Sequence, residues 1–272
     1  MGKIIAFANQ KGGVGKTTTC VNLATYLAAF GKKVLLVDLD PQGNATTGVG
    51  VDKTEDIKTM YDYIAGELTI PEIIKKTDIV GLDIIPSSVD LAGAEVDLVQ
   101  KENREKVFRN GLLAVKSNYD YILMDCPPSL GLITVNALTA TDTIVIPIQC
   151  EFYALEGLSQ LMNTVKLVKQ YLNPNIDIEG VILTMKDNRS NLVNEVAKEI
   201  KGFFGKKVYD VVIPRNIRLA EAPSHGLPIY FYDNKSTGGL AYQELTVEFL
   251  KRNKDNGQLK NKKDIYKGSE EI

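Results

Sequence analysis

Lys11-Gly12-Gly13-Val14-Gly15-Lys16-Thr17-Thr18 decides how the rest of this chain is read. The octet follows an apolar run, Ile4 to Ala8, and precedes a helical pattern that begins near Thr17. Strand, glycine-rich loop and helix in that order make a cradle for phosphate. Its glycines let backbone N–H groups turn towards anionic oxygens, and the helix N-terminus adds partial positive charge. Gly12, Gly13, Val14, Gly15 and Thr18 supply the frame of the cradle. Lys16 is placed to reach β- and γ-phosphates and Thr17 to hold Mg²⁺ through its hydroxyl, so ATP and Mg²⁺ are the expected cofactors.

The usual phosphate-loop pattern puts a glycine five residues before Gly15, where this chain has Gln10. A second lysine, Lys11, stands at the start of the loop instead, so two cations flank one nucleotide site. A lysine at that end points away from its own cradle more easily than into it, and so can serve a nucleotide on a neighbouring subunit. The plainer reading of the same residue is a surface lysine beside an ordinary nucleotide loop.

Working outward, apolar runs rich in Val and Ile alternate with longer amphipathic stretches. That predicts a P-loop NTPase-like α/β fold, a mostly parallel central sheet with helices on both faces. At 272 residues and 44% hydrophobic content, one large core is expected, in a single domain over residues 1–250, with a polar, mobile tail over 251–272. Strands are predicted near 3–9, 33–39, 82–86, 119–125, 143–148, 178–184 and 207–213. Helices are predicted near 17–30, 60–66, 70–76, 91–100, 102–115, 155–171, 192–202 and 237–250.

Val37-Asp38-Leu39-Asp40-Pro41-Gln42-Gly43-Asn44 ends the second strand in a loop at its carboxyl edge, where ligands bind in open α/β sheets. Asp38 and Asp40 are therefore delivered beside the phosphate loop, where carboxylates hold metal waters or orient an attacking water. Ile122-Leu123-Met124-Asp125-Cys126-Pro127-Pro128 ends another strand in an acid, the place of a Walker B carboxylate for Mg²⁺. An Asp there can also cap the next helix, but Ser129 is better placed to do so.

The formal charge of −2 leaves no global basic field, so any nucleic-acid contact must be a local patch. Cys20, Cys126 and Cys150 lack metal-ligand or disulfide spacing and read as reduced core thiols. The chain enters its first apolar run without a leader, and no apolar run approaches the ~20 residues that span a bilayer. A cytoplasmic protein is expected. The charge run Lys101 to Lys106 reads as a solvated face, and His225, the only histidine, as structural.

The phosphate loop resembles the deviant Walker A motif of the ParA/MinD family of ATPases. Val37 to Asn44 is similar to that family's second nucleotide motif. Pro214-Arg215-Asn216-Ile217-Arg218-Leu219-Ala220-Glu221-Ala222-Pro223-Ser224-His225-Gly226 resembles the distal motif of chromosomal members of the Soj type. Together these cover about Gly2 to Leu250. The resemblance implies an ATP-dependent homodimer that sandwiches two nucleotides and binds double-stranded DNA without sequence preference, associated with the nucleoid. ATP hydrolysis, stimulated by a ParB-type protein, ends that state. Roles in chromosome segregation, replication initiation through an initiator partner, and sporulation control belong to such members.

By matching motif, Lys11 contacts the nucleotide across the dimer and Gly12 provides clearance for that approach. Lys16 and Thr17 bind phosphate and Mg²⁺, Asp40 serves metal and hydrolytic water, and Asp125 supports the metal. Pro214 and Asn216 lie beside the adenine, and Arg189 and Arg218 contact DNA, with Lys186 and Arg215 as further candidates. Arg218 is also three residues before Glu221, so a local ion pair is an alternative. No arginine finger lies in the phosphate motifs, which predicts slow turnover raised by a partner. A MinD-like membrane ATPase is the nearest rival, but the tail has too few apolar residues for a membrane-inserting face. A metabolic ATP-dependent enzyme on the same scaffold is the other.

Overall fold

Side chains alternate between the two faces of a strand. Along the first strand Ile4 and Ala6 enter one apolar core while Ile5 and Phe7 enter another. A sheet covered on both faces follows directly, and the expected near-continuous apolar strands are its signature. The computed structural model describes residues 2–53, 57–151, 153–186 and 191–268.

In chain order the elements begin with β1 (Lys3–Phe7), α1 (Lys16–Ala29), β2 (Val34–Asp38), α2 (Asn44–Gly48) and α3 (Met60–Ala65). They continue with β3 (Lys75–Lys76), β4 (Leu82–Ile85), α4 (Ala94–Val99), α5 (Val107–Leu113), β5 (Tyr121–Asp125) and α6 (Leu132–Ala140). The second half holds β6 (Thr143–Gln149), α7 (Ala154–Tyr171), β7 (Asp177–Thr184), α8 (Asn191–Phe204) and α9 (Ile217–Glu221). Last come α10 (Ile229–Asp233), α11 (Thr237–Arg252) and α12 (Lys262–Ile265).

The sheet order is β3-β4-β2-β5-β1-β6-β7, parallel throughout except for β3 against β4. Helix α1, leaving β1, packs on one face with α10 and α11, while α6 and α7 pack on the other. Chain crossovers therefore diverge at β1, and the crevice at its carboxyl end is where such sheets bind ligands.

Four local expectations are corrected. Residues 207–213 form no named strand, although Tyr209 N–H and Ile213 N–H donate to the Val181 and Leu183 carbonyls. The Glu248 carboxylate takes the intervening Asp210 and Val211 N–H groups at 3.0 Å each, which breaks the ladder. Residues 102–115 are not one helix, because Asn103 takes a left-handed φ of 51° and a short 3₁₀ turn precedes α5. Residues 70–76 shorten to a 3₁₀ turn, Ile70–Ile73, followed by β3. Gly131, not Ser129, occupies the N-cap of α6, and the Ser129 carbonyl accepts the Thr134 hydroxyl at 2.6 Å.

The segment read as a mobile tail packs against the fold over its described residues, 251–268. Helix α11 extends to Arg252, Asp255 pairs with Lys32 at 2.5 Å and accepts the Tyr121 hydroxyl at 2.8 Å. Lys260 N–H donates to the Ala29 carbonyl, Val80 N–H to the Ile265 carbonyl, and the Ile265 side chain is fully buried. Polar composition concealed this docking, because three scattered apolar side chains, Leu259, Ile265 and Tyr266, carry it together with hydrogen bonds and the Asp255 pair.

Candidate nucleotide site

The β1–α1 loop is built as a phosphate cradle. Gly13 and Gly15 take φ of 73° and 82°, left-handed conformations that favour glycine. Gly15 is the N-cap of α1, with no side-chain cap and no acidic residue in the first turn. The first N–H groups and the positive helix end are thus left for an anion. Thr184, at the end of β7, donates its hydroxyl to the Val14 carbonyl at 2.8 Å and braces the loop from behind.

A cavity of about 740 Å³ opens from the cradle. Gly12, Gly13, Gly15, Lys16, Thr17 and Thr18 line its phosphate end, and Asp40, Gln42 and Asn44 its flank. Met185, Ile213, Pro214, Asn216 and Leu219 line the far end, a mostly apolar slot suited to a base. Val14 is buried beneath the loop instead of lining the cavity.

Lys16 is buried, its ammonium donating to the Lys11 carbonyl at 3.1 Å. Burial lowers its pKa, while the Asp125 carboxylate, with Cys126 and Asp40, opposes that shift. Asp38 and Asp125 are register partners on β2 and β5, both fully buried, yet their surroundings differ. Asp38 accepts Thr46 N–H at 2.8 Å, the Thr46 hydroxyl at 2.7 Å and Asp40 N–H at 3.2 Å. Burial still pushes its carboxyl up to about 6, against the pull of those bonds.

Neither oxygen of Asp125 has a hydrogen-bond partner among the described residues. Burial and the neighbouring Asp38 charge hold its pKa well above the carboxylate range, against the pull of Thr17 and Lys16. A buried carboxylate left without donors is costly. A divalent cation at Asp125 and the Thr17 hydroxyl relieves that cost, so the residues fit Mg²⁺, which typically takes one or two protein oxygens plus phosphates and waters. Mg²⁺ held there by Asp125 and Thr17 would supply charge neutralisation to the phosphates of a bound nucleotide.

Lys11 goes elsewhere. Its N–H donates to Asn9 Oδ1 at 3.0 Å, and its ammonium pairs with the Glu151 carboxylate, outside the cavity lining. A Cβ added to Gly12 would meet nothing closer than Pro128 Cβ at 3.9 Å, an ordinary contact. Among the described residues nothing in the packing demands glycine there.

Asn216 caps α9: its Oδ1 accepts Arg218 and Leu219 N–H at 2.8 and 3.3 Å, and its Nδ2 donates to the Thr237 hydroxyl at 2.7 Å. It shapes the slot wall beside Pro214. Arg215 also lines the cavity, and Lys186 bridges backbone to backbone with Pro214, which brings Lys186 and Arg215 to the base end. Arg218 pairs with Glu221 at 3.0 Å and with Asp233 at 3.7 Å, the local alternative read from its spacing. Arg189 lies outside the described residues.

Sequence reading missed Glu151, Thr184 and Met185. All three lie at or just past the carboxyl ends of β6 and β7, and that position was the available signal. Met185 holds a left-handed φ of 48°, uncommon for a residue other than glycine.

The AAA domain family profile matches residues 2–178. Over 248 residues the chain is 58% identical to the sporulation initiation inhibitor protein Soj of Bacillus subtilis, covering 91% of this chain and 98% of that one. This chain belongs to the Soj/ParA family of chromosome-partitioning ATPases. It is also 51% identical over 255 residues to the chromosome partitioning protein ParA of Caulobacter vibrioides, covering 93% and 96% of the two chains.

A solved structure of cobyrinic acid a,c-diamide synthase from Mycobacterium smegmatis, with bound ADP and magnesium, matches at TM-score 0.81 and 32% identity. The match covers 96% of this chain and 99% of that one. The Soj/ParA chain is thus an ATPase whose cofactors are ATP and Mg²⁺. The likeness to a synthase reflects the shared scaffold that sequence reading kept as a rival, and the higher identity lies with the partitioning proteins. Among the described residues no helix is long and apolar enough to cross a membrane.

Proposed function

We propose that this Soj/ParA ATPase works as a nucleotide-dependent DNA switch. Two ATP-bound chains pair face to face, and Lys11 of each completes the other's site. The observation that carries this reading is that Lys11 lies outside its own cavity while, among the described residues, no group fills the space beside Gly12. Its loop thus offers a cation and a clearance that a second copy can use.

Within each site Lys16 and the loop N–H groups hold the phosphates, Thr17 and Asp125 hold Mg²⁺, and Asp40 orients the hydrolytic water. The paired form binds double-stranded DNA non-specifically through Lys186, Arg189, Arg215 and Arg218. Lys186 and Arg215 adjoin the base end of the cavity, which supports a DNA surface coupled to the nucleotide. Arg218 must exchange its carboxylate partners for phosphate to take part.

Among the described residues no arginine lines the phosphate end of the cavity. That supports slow turnover, raised by a ParB-type partner that completes or orders the site. The docked C-terminal segment, with Ile265 buried in the fold, favours the nucleoid over a membrane surface.

The test is a mobility shift on two unrelated duplexes with ATP, with ADP and without nucleotide, run beside sedimentation of the same samples. Dimer formation and binding to both duplexes only with ATP, weakened by salt and lost in Arg215→Ala, is the expected result. A monomer that ignores DNA in every nucleotide state rejects the reading.

A further inference from the structure

The turn that carries Asp40 is held from two sides. From within, Gln42 N–H donates to Asp40 Oδ1 at 3.0 Å and Gly43 N–H to the Asp40 carbonyl at 2.8 Å. From outside, the Lys53 ammonium donates to the Gln42 carbonyl at 2.7 Å. The Lys53 stem lies across Gly43, where an added Cβ would come within 2.7 Å of Lys53 Cδ and 3.3 Å of the Ser87 carbonyl oxygen. Gly43 also holds a φ of 61° as it opens α2, a conformation that favours glycine.

Lys53 does not line the nucleotide cavity. It lines a neighbouring cavity of about 500 Å³ whose wall shares Thr17, Thr18 and Asn44 with the nucleotide site. It is therefore close to the reacting end without being aimed at the nucleotide.

We propose that Lys53 is a positioning residue for hydrolysis: by gripping the Gln42 carbonyl and overlying Gly43, it sets the direction in which Asp40 faces bound ATP. This rests on the reading of Asp40 as the residue that orients the attacking water. The Gln42 carbonyl is at the surface, so water replaces the ammonium as its partner and the fold does not require Lys53. Water does not fix the orientation of that peptide. Its flanking residue donates to the Asp40 carboxylate, so a loosened turn carries the carboxylate with it, and small misplacements of a catalytic group are costly in rate.

The experiment compares single-turnover ATP hydrolysis and ATP affinity in the full chain and in Lys53→Met, Lys53→Arg and Asp40→Ala. Lys53→Met keeps the stem and removes the donor. It is expected to hydrolyse about tenfold more slowly with unchanged ATP affinity, and Lys53→Arg to restore most of the rate. If Asp40→Ala hydrolyses at the full rate, the reading of Asp40 fails. If Asp40→Ala is inactive while Lys53→Met matches the unaltered protein, the role of Lys53 is overturned and that of Asp40 stands. A Lys53→Met protein whose loss lies in affinity, or whose rate Lys53→Arg leaves unrestored, also overturns it.

Discussion

Lys11 and Lys16, in one glycine-rich loop, take opposite courses. Lys16 folds back so that its ammonium meets the Lys11 carbonyl at 3.1 Å inside the cavity, while the Lys11 ammonium leaves the cavity for Glu151. The loop's two cations therefore face different spaces: one the chain's own cavity, the other the rim beside it.

This division makes the two lysines separable. Lys16→Ala is expected to lower ATP affinity by about a hundredfold, on the scale of a charge-assisted hydrogen bond. Lys11→Ala is expected to leave ATP affinity within about threefold, yet to abolish ATP-dependent self-association. Titration calorimetry and sedimentation velocity on the two variants measure both quantities. Equal losses of affinity would show that Lys11 enters its own site.

Asp125 carries two buried oxygens without donors, which is tolerable where a cation is to be held. In Asp125→Asn the gain in ATP affinity on adding Mg²⁺ is expected to shrink by about tenfold or more, roughly 1.4 kcal/mol. ATP binding without metal should change little. Paired calorimetric titrations in Mg²⁺ and in chelator check this, and an undiminished gain would remove Asp125 from the metal site.

At the opposite end of the sheet, Glu179 is held by the Lys3 ammonium and by Asn253 Nδ2 at 2.7 Å. Burial raises its pKa, but Lys3, with Thr143 and Asn253, outweighs burial and leaves the carboxyl below its ordinary value. A depressed folded pKa contributes stability above the unfolded value, near 4.3, and that stability is lost as pH falls through the folded value. Glu179→Gln is expected to cost about 1–3 kcal/mol at neutral pH and to flatten the loss of stability below about pH 4.5. Urea unfolding from pH 7 to pH 3 measures both.

Ile265 anchors the C-terminal segment from a fully buried position beside Ile79 and Tyr266. Ile265→Ala is expected to lower stability by about 2 kcal/mol and to expose residues 256–268 to limited proteolysis. ATP affinity should be unchanged, because the segment docks away from the phosphate loop. Intact resistance to protease would show that the backbone hydrogen bonds alone hold it.

What the sequence by itself determined is what is encoded locally. Residues 3–18 carry a strand, the left-handed glycines and the helix start within one short stretch, so the cradle is legible before any packing is known. Asp38, Asp40 and Asp125 are placed by the same logic, because an apolar run that ends in an acid and a turn marks the carboxyl edge of a parallel strand.

Tertiary structure alone decided the pairings between segments far apart in the chain. Lys11 finds Glu151 across 140 residues, because β1 and β6 run side by side and end at the same edge. Glu248, far along α11, takes the N–H groups that a strand at 207–213 needed. The polar C-terminal segment docks because the last turn of α1 and the turn before β4 present carbonyl and N–H groups to it. Backbone conformation is a local preference that nearby residues reveal, whereas a charge or an unpaired N–H meets whichever group the folded sheet brings beside it.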